Sequence, residues 1–547
     1  LIGTKKERQA VLENLYPKWE ELTLFQFLER KAEKLSGQIF LLADGVCLTY
    51  RQTLDGARKI AGALRQLDVG CDTRVAVCLN NCPEYILLVF ALSGLGAVKV
   101  SINTELGEEE RHSILEQADP YLLIEGGPQG ITVVRYGAED AWKMSWSTLC
   151  DLGAGTKFEP AGDPNRICEM IFTSGSNGIP KGVTLTSDML LRSAYANCLN
   201  RGFELGRLIY IPLPLFHVYG YVEGLIAALL GEGSILIHRG KFTPEKAIRL
   251  MEQYRVNDLL SVPSMMMNLL NCPALEQADL SALHAVYCSA SSCPAWLWPA
   301  IREKLGVRDV ITGYGMTETS GAVMQTSPDD ADGMVVNRVG RLLPGGSAGV
   351  PAYQGCQAEY RVADPITGIS RSAGQSGELW CRGPVVTKRY FRNDQANAAA
   401  FTPDGWLKTG DIGRFDQEGC LELLGRLSDM YKINGENVAP QFVERVIGQC
   451  EMVVHVEVVG VPDAKTGEAG AAFLELTRGT DRDTAYEVIS QHCRKRLARF
   501  QIPKYYYFLS AEEWPLTGSG KISKRLLRIM VRNDLQHTEP TVRTWGL

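Results

Sequence analysis

Apolar residues recur at three- and four-residue spacing in "FQFLERKAEKL" (25–35) and "ARKIAGALRQL" (57–67), which predicts amphipathic helices. "RVAVCLN" (74–80) and "GSILIH" (233–238) are short β-branched runs bounded by turn residues, and read as strands. Alternation of the two patterns through most of the length predicts an α/β protein with a mostly parallel sheet. The longest apolar run, "YILLVFALSGLGAVKVSI" (85–102), is broken by two glycines and a lysine. It suits a buried helix leading into a strand better than a membrane span, which needs about 20 apolar residues.

The pattern changes near "GRLSDMYKINGENVAP" (425–440), beyond which about one small domain of sequence remains. There "VVHVEVVGVP" and "GAAFLEL" read as strands and "AYEVISQHCRKRLARF" as an amphipathic helix. The expected division is therefore 1–428 and 429–547. A chain of 547 residues exceeds one ordinary core, in keeping with more than one domain.

Composition narrows the function classes. With 45% hydrophobic and 22% charged residues the chain reads as globular, and a net charge of −6 argues against a nucleic-acid surface. Its 15 cysteines are scattered without a C-x-x-C pair or zinc-site spacing. Reduced thiols and a cytoplasmic location are expected, and the opening "LIGTKKERQA" has no apolar segment of a signal peptide.

Candidate chemistry lies in loops. "TSGSNGIPKG" (173–182) follows the buried-strand pattern "ICEMIF" and has almost nothing apolar to pack. It is not a Walker loop, because Pro180 precedes Lys181 and Gly182 follows it. Glycines at 175, 178 and 182 nevertheless let backbone N–H groups approach an anion, and Thr173, Ser174 and Ser176 add hydroxyls. "YGMTE" (314–318) combines an aromatic ring able to stack on a base, a hydroxyl able to bond a phosphate and a carboxylate able to hold Mg²⁺. "GWLKTGDIG" places Asp411 in a glycine-bounded turn where its carboxylate can accept both ribose hydroxyls, and Arg426 is a second ribose candidate. "PLTGSGKISKRLL" puts Lys521 on a glycine-rich arm before a basic helix start.

In this order and spacing, over about Leu24 to Leu527, the motifs resemble the adenylate-forming superfamily of acyl- and aryl-CoA ligases, peptide-synthetase adenylation domains and luciferases. The resemblance implies a large multi-subdomain N-terminal α/β domain and a small mobile C-terminal α+β lid, with the active site between them. It implies two half-reactions. A carboxylate attacks the α-phosphorus of ATP to give an acyl-adenylate and pyrophosphate, and a thiol, usually that of coenzyme A, then displaces AMP.

Residue by residue, the resemblance assigns Thr173, Ser174, Gly175, Ser176, Asn177, Gly178 and Lys181 to the phosphates; Asn177 stands where a threonine is usual. Tyr314, flanked by Gly313 and Gly315, corresponds to the adenine-stacking residue, Thr317 to the α-phosphate contact and Glu318 to the Mg²⁺ ligand. Ala290 and Ser291, in "CSASSCP", line the adenine and acyl pocket. His217, in "PLFHVYG", sits beside the substrate carboxylate, and Tyr219, Val262, Met265, Ala290, Gly315 and Met316 shape the acid pocket. No aspartate there pairs with an α-amino group, which argues against amino-acid activation. Lys521 neutralises charge in adenylate formation, Asp429 is the hinge, Gly435 admits the pantetheine arm, and Phe500 and Lys504 are candidates for the CoA nucleotide. Free CoA is the expected acceptor; a carrier-protein phosphopantetheine is the alternative. A luciferase-like oxygenase and a non-catalytic nucleotide-binding relic are weaker readings, and Glu318 with Lys521 argues against the relic.

Overall fold

A computed structural model describes residues 3–137, 141–173, 180–291, 293–330, 332–434, 436–463, 465–516, 522–536 and 543–544. The predicted helices form at Leu24–Lys34 and Tyr50–Gln66, each opened by a threonine capping box, Thr23 with Gln26 and Thr49 with Gln52. The long apolar run is a buried helix, Pro83–Leu95, stopped by left-handed Gly96 and followed by the strand Val98–Ser101. Among the described residues no helix is long and apolar enough to cross a membrane.

Two seven-stranded sheets form the body. One runs in the order Asp309–Ile311, Ala285–Cys288, Asp258–Ser261, Leu208–Tyr210, Ser234–Ile237, Ile39–Ala43, Val46–Thr49, and is parallel except for its last hairpin. The other runs Lys143–Ser145, Gly130–Arg135, Leu122–Gly127, Arg74–Cys78, Val98–Ser101, Ile167–Thr173, Lys181–Thr186, with a parallel centre and antiparallel ends. The expected parallel sheet is thus two sheets with antiparallel edges. The connections explain this: Asp44–Gly45 and residues 174–180 are too short for the crossover that a parallel pair requires.

Smaller antiparallel sheets carry the chemistry. Gly313–Met316, Gly321–Gln325 and Arg341–Leu342 form one, and Glu359–Ala363, Gly377–Arg382, Leu407–Phe415 and Leu421–Arg426 another. After a single turn at Leu427–Asp429, the strands Tyr431–Ile433, Glu436–Val438, Val453–Asp463, Gly467–Leu476, Tyr505–Leu509 and Arg543–Thr544 make a last sheet. Its two apolar clusters draw only on residues from Tyr431 onward, so the C-terminal segment has a core of its own. The architecture is a large N-terminal α/β domain with a smaller C-terminal one. They meet where Trp296 Nε1 donates to the Val454 carbonyl at 3.3 Å and Arg445 donates to Glu422 at 2.6 Å.

Candidate active site

The "YGMTE" segment is a strand that breaks into one tight turn, Thr317–Thr319. Thr319 locks the break: its hydroxyl accepts the Met316 N–H and lies 2.8 Å from the Gly321 carbonyl. Glycine is required on both sides of Tyr314. A Cβ on Gly313 would lie 2.6 Å from the Tyr287 hydroxyl, and one on Gly315 only 2.1 Å from the Gly321 carbonyl. Gly315 is exposed and Met316 and Thr317 half-buried, whereas Tyr314 and Glu318 are buried, so the segment shows backbone and small groups outward over a fixed ring and carboxylate.

Asp411 is brought to this segment from elsewhere. It lies within the long strand Leu407–Phe415, not in a turn as its glycine neighbours suggested; the backbone turns only at Gly410, at φ +73°, while pairing continues from Asp411 to Arg426. Tyr314 donates its hydroxyl to Asp411 Oδ2 at 2.8 Å, and Arg426 Nε lies 3.1 Å from Oδ1. Burial pushes the Asp411 carboxyl up, and the Arg426 charge and the Tyr314 hydroxyl pull it back. Both oxygens keep lone pairs for further donors.

Glu318 lies toward the strand Lys181–Thr186. Tyr390 donates its hydroxyl to Glu318 Oε1 at 3.0 Å, and the Lys181 ammonium lies 5.0 Å from the centre of the Tyr390 ring. Thr173 and Lys181 pair across the antiparallel mouth of the loop, while Ser174, Gly175, Ser176, Asn177 and Gly178 lie outside the described residues. Burial raises the Glu318 carboxyl, and among the described residues no cation stands within ion-pair distance of it. A lone buried carboxylate of this kind fits a hard cation, because Mg²⁺ takes one or two carboxylates and completes its shell with water and phosphate oxygens. Tyr390 was missed from the sequence; "KRYFRND" carries no pattern, and only the packing of that segment onto Thr184 and Gly182 brings the ring here.

The acid-pocket candidates come from four segments. His217, half-buried, opens the short helix Val218–Gly220, which continues as a π-helix at Tyr221–Ile226. Such bulges re-aim side chains at functional sites and leave no simple periodic signature. Tyr219 spends its hydroxyl on the carbonyls of Tyr287 at 2.6 Å and Ser261 at 3.1 Å. Val262 is buried, and Tyr219, Met265 and Ala290 pack half-buried on the same apolar cluster. Ala290 holds φ +79°, a left-handed conformation that costs a non-glycine residue energy and recurs at ligand sites. Ser291 beside it is exposed.

In the C-terminal domain, Arg528 donates to Asp429 Oδ1 at 2.8 Å, tying the connecting turn to the helix Lys524–Gln536. Phe500 packs half-buried on the domain core and Lys504 pairs with Asp463, so neither stands as an unengaged surface group. Gly435 and Lys521 lie outside the described residues. Near the second, Ser523 N–H donates to the Pro515 carbonyl at 2.8 Å and Leu516 bridges to Ile522, which closes the arm at its base.

Residues 28–391 match the AMP-binding enzyme family and residues 443–521 the AMP-binding enzyme C-terminal domain, so the chain belongs to the AMP-binding enzyme family. It is 32% identical, over 92% of its length and 97% of the relative's, to a Mycobacterium tuberculosis propanoyl:CoA ligase named for an acid with a methyl-dioxo-octahydroindenyl group. It is 30% identical to the feruloyl-CoA synthase of an Amycolatopsis species, over 88% and 94% of the two chains. The ATP-bound structure of MatB from Rhodopseudomonas palustris superposes with a TM-score of 0.80 at 25% identity, covering 93% and 99%. The protein is an AMP-forming acid–thiol ligase that activates a carboxylic acid with ATP and forms its thioester with coenzyme A.

Proposed function

We propose that the acid is apolar and ring-bearing and that the residues above divide the work as follows. Tyr314, Gly315 and Ala290 receive the adenine, and Asp411 with Arg426 receives the ribose diol. Lys181 and the loop from Thr173 to Gly178 hold the β- and γ-phosphates. Glu318 holds Mg²⁺, which when bound neutralises phosphate charge and supplies Lewis acidity. Thr317 donates to the α-phosphate, and Lys521 brings an ammonium to the reacting carboxylate. One acid oxygen forms a bond to the α-phosphorus as the bond to pyrophosphate breaks. The CoA sulfur then bonds to the acyl carbon and AMP leaves with the electron pair.

One observation carries this reading: Tyr314–Asp411–Arg426 and Lys181–Tyr390–Glu318 meet at the two ends of a single five-residue segment, although they come from distant parts of the chain. The choice of acid rests on Tyr219, whose hydroxyl is engaged by backbone, and on Val262, Met265 and Ala290, which belong to the same apolar cluster and bring no polar side-chain group. A pyrophosphate-release screen tests it. Aryl and alicyclic acids should turn over and short dicarboxylates should not, and thioester should form with CoA rather than with a holo carrier protein. Turnover confined to short dicarboxylates would overturn the acid assignment, and no thioester with CoA would overturn the acceptor. Fifteen unpaired cysteines suit a reducing, cytoplasmic setting.

Two substitutions test the division of roles. Asp411→Asn should raise the KM for ATP about tenfold with little change in kcat, since a hydrogen bond to a charged group is worth about 1.5–3 kcal/mol and the ribose is bound equally in ground and transition states. An unchanged KM would remove Asp411 from the ribose site. Asp429→Pro should slow thioester formation more than adenylate formation, because a fixed φ restricts the turn about which the smaller domain swings. Equal effects on both steps would place the hinge elsewhere.

A further inference from the structure

The proposed machinery leaves one buried acidic group unused. Glu223 is the third residue of the π-helix Tyr221–Ile226 and only 1% exposed. Its Oε1 accepts the Ala322 N–H at 2.6 Å, while Oε2 has no hydrogen-bond partner among the described residues. Its own carbonyl accepts from Arg201 at 3.2 Å, and Arg201 is in turn paired with buried Asp258. Gly321 makes room for the carboxylate: it sits at φ +112°, and a Cβ there would lie 2.6 Å from Glu223 Oε1. In the antiparallel ladder Gly321 and Ala322 are the partners of Met316 and Gly315. Glu223 therefore joins the wall that carries His217 and Tyr219 to the strand that backs Gly315 and Met316.

We infer that Glu223 is a positioning residue that sets the width of the acid pocket by fixing its His217–Tyr219 wall against its Gly315–Met316 wall. This rests on the pocket assigned above, and goes beyond it by naming a determinant that no substrate touches. The bond is strong locally, because a buried backbone N–H left without an acceptor pays the full cost of its desolvation. Its loss would let the two walls move relative to each other, because the bond joins two separate elements of a packed interior.

Ionisation of the same group gives a second handle. Burial pushes its carboxyl up to about 8, against the opposing Ala322 N–H and Arg201. The titratable groups around it are Tyr219 and Tyr221 on its own segment, Tyr287 on the Ala285–Cys288 strand, and Cys198 and Arg201 on the Ser187–Arg201 helix. Burial holds the three tyrosines uncharged and pushes Cys198 up to about 12, so none of these changes charge near pH 8. Negative charge then appears on Glu223 only as pH rises through about 8, on a side chain shut off from bulk solvent.

The test uses the full chain and first establishes acid-dependent pyrophosphate release by the unsubstituted enzyme; silence there defeats the functional reading and not this one. Glu223→Gln keeps the acceptor and Glu223→Leu removes it. With active sites counted by a pyrophosphate burst, Glu223→Leu should raise the KM for the acid about tenfold or more, and Glu223→Gln should stay within about threefold at pH 7. A purely structural role would lower the count of active sites and leave that KM unchanged. If Glu223→Leu does not fold, the pH profile of Glu223→Gln decides. The charged carboxylate accepts the Ala322 N–H more strongly than the neutral one, so acid kcat/KM of the unsubstituted enzyme should change in a step as pH rises through about 8, and that of Glu223→Gln should not. An unchanged acid KM in Glu223→Leu, or the same step near pH 8 in Glu223→Gln, overturns the inference.

Discussion

Lys521→Ala lowers the rate of acyl-adenylate formation by about 10²–10³ and leaves thioester synthesis from a supplied adenylate near its original rate. The magnitude is that of removing one preorganised donor from a site where charge develops on attack at phosphorus. The selectivity follows from placement. Lys521 belongs to an arm that is closed at its base by the Ser523–Pro515 hydrogen bond and the Leu516–Ile522 bridge, and the arm stands in the smaller domain. That domain has its own core, and on the role proposed for Lys521 it moves as a body and withdraws the ammonium once the adenylate exists. Pyrophosphate exchange and CoA thioester formation, measured separately on one preparation, check the result. Equal loss in both half-reactions would remove the division of labour between the two domains.

Glu318→Gln should cost about 10²-fold in adenylate formation, because cation-assisted charge neutralisation is worth several kcal/mol and a carboxamide is a poor Mg²⁺ ligand. The substitution preserves shape and the acceptor for the Tyr390 hydroxyl, so stability should change little. A pH signature accompanies it. Burial raises the Glu318 carboxyl in the nucleotide-free protein, and a metal must displace that proton, so apparent Mg²⁺ affinity should climb as pH rises through the raised value. Glu318→Gln has no proton to lose there and should flatten the climb. Activity against Mg²⁺ concentration at several pH values checks both. Retention of the full Mg²⁺ and pH dependence in the variant would assign the metal to other ligands.

Much of this protein is legible in its amino-acid order. Helices with threonine caps, the buried run from Pro83 and the strands on either side of the nucleotide segments follow from local periodicity and cap chemistry, which act over a few residues. The chemical classes are legible for a similar reason: glycines around Tyr314 and a carboxylate two residues past Met316 mark a backbone built to approach a ligand. Asp411 shows where such reading stops. Glycines at 410 and 413 suggested a turn, yet pairing with Leu421–Arg426 draws the residue into a strand, since ladder hydrogen bonds outweigh a single permissive residue.

Local pattern alone marks the helices at Leu24–Lys34 and Tyr50–Gln66, the buried run from Pro83, the alternation of helix and strand, and the residue types able to meet phosphate, ribose and metal. Packing brings Tyr390 to Glu318, joins Tyr314 and Arg426 to Asp411, and sets Glu223 of a π-helix against the Ala322 N–H. The reason is physical. Periodicity reports which face of an element is buried, whereas a contact between Tyr390 and Glu318, or between Glu223 and Ala322, depends on how whole sheets pack, and nothing local to either partner encodes the other.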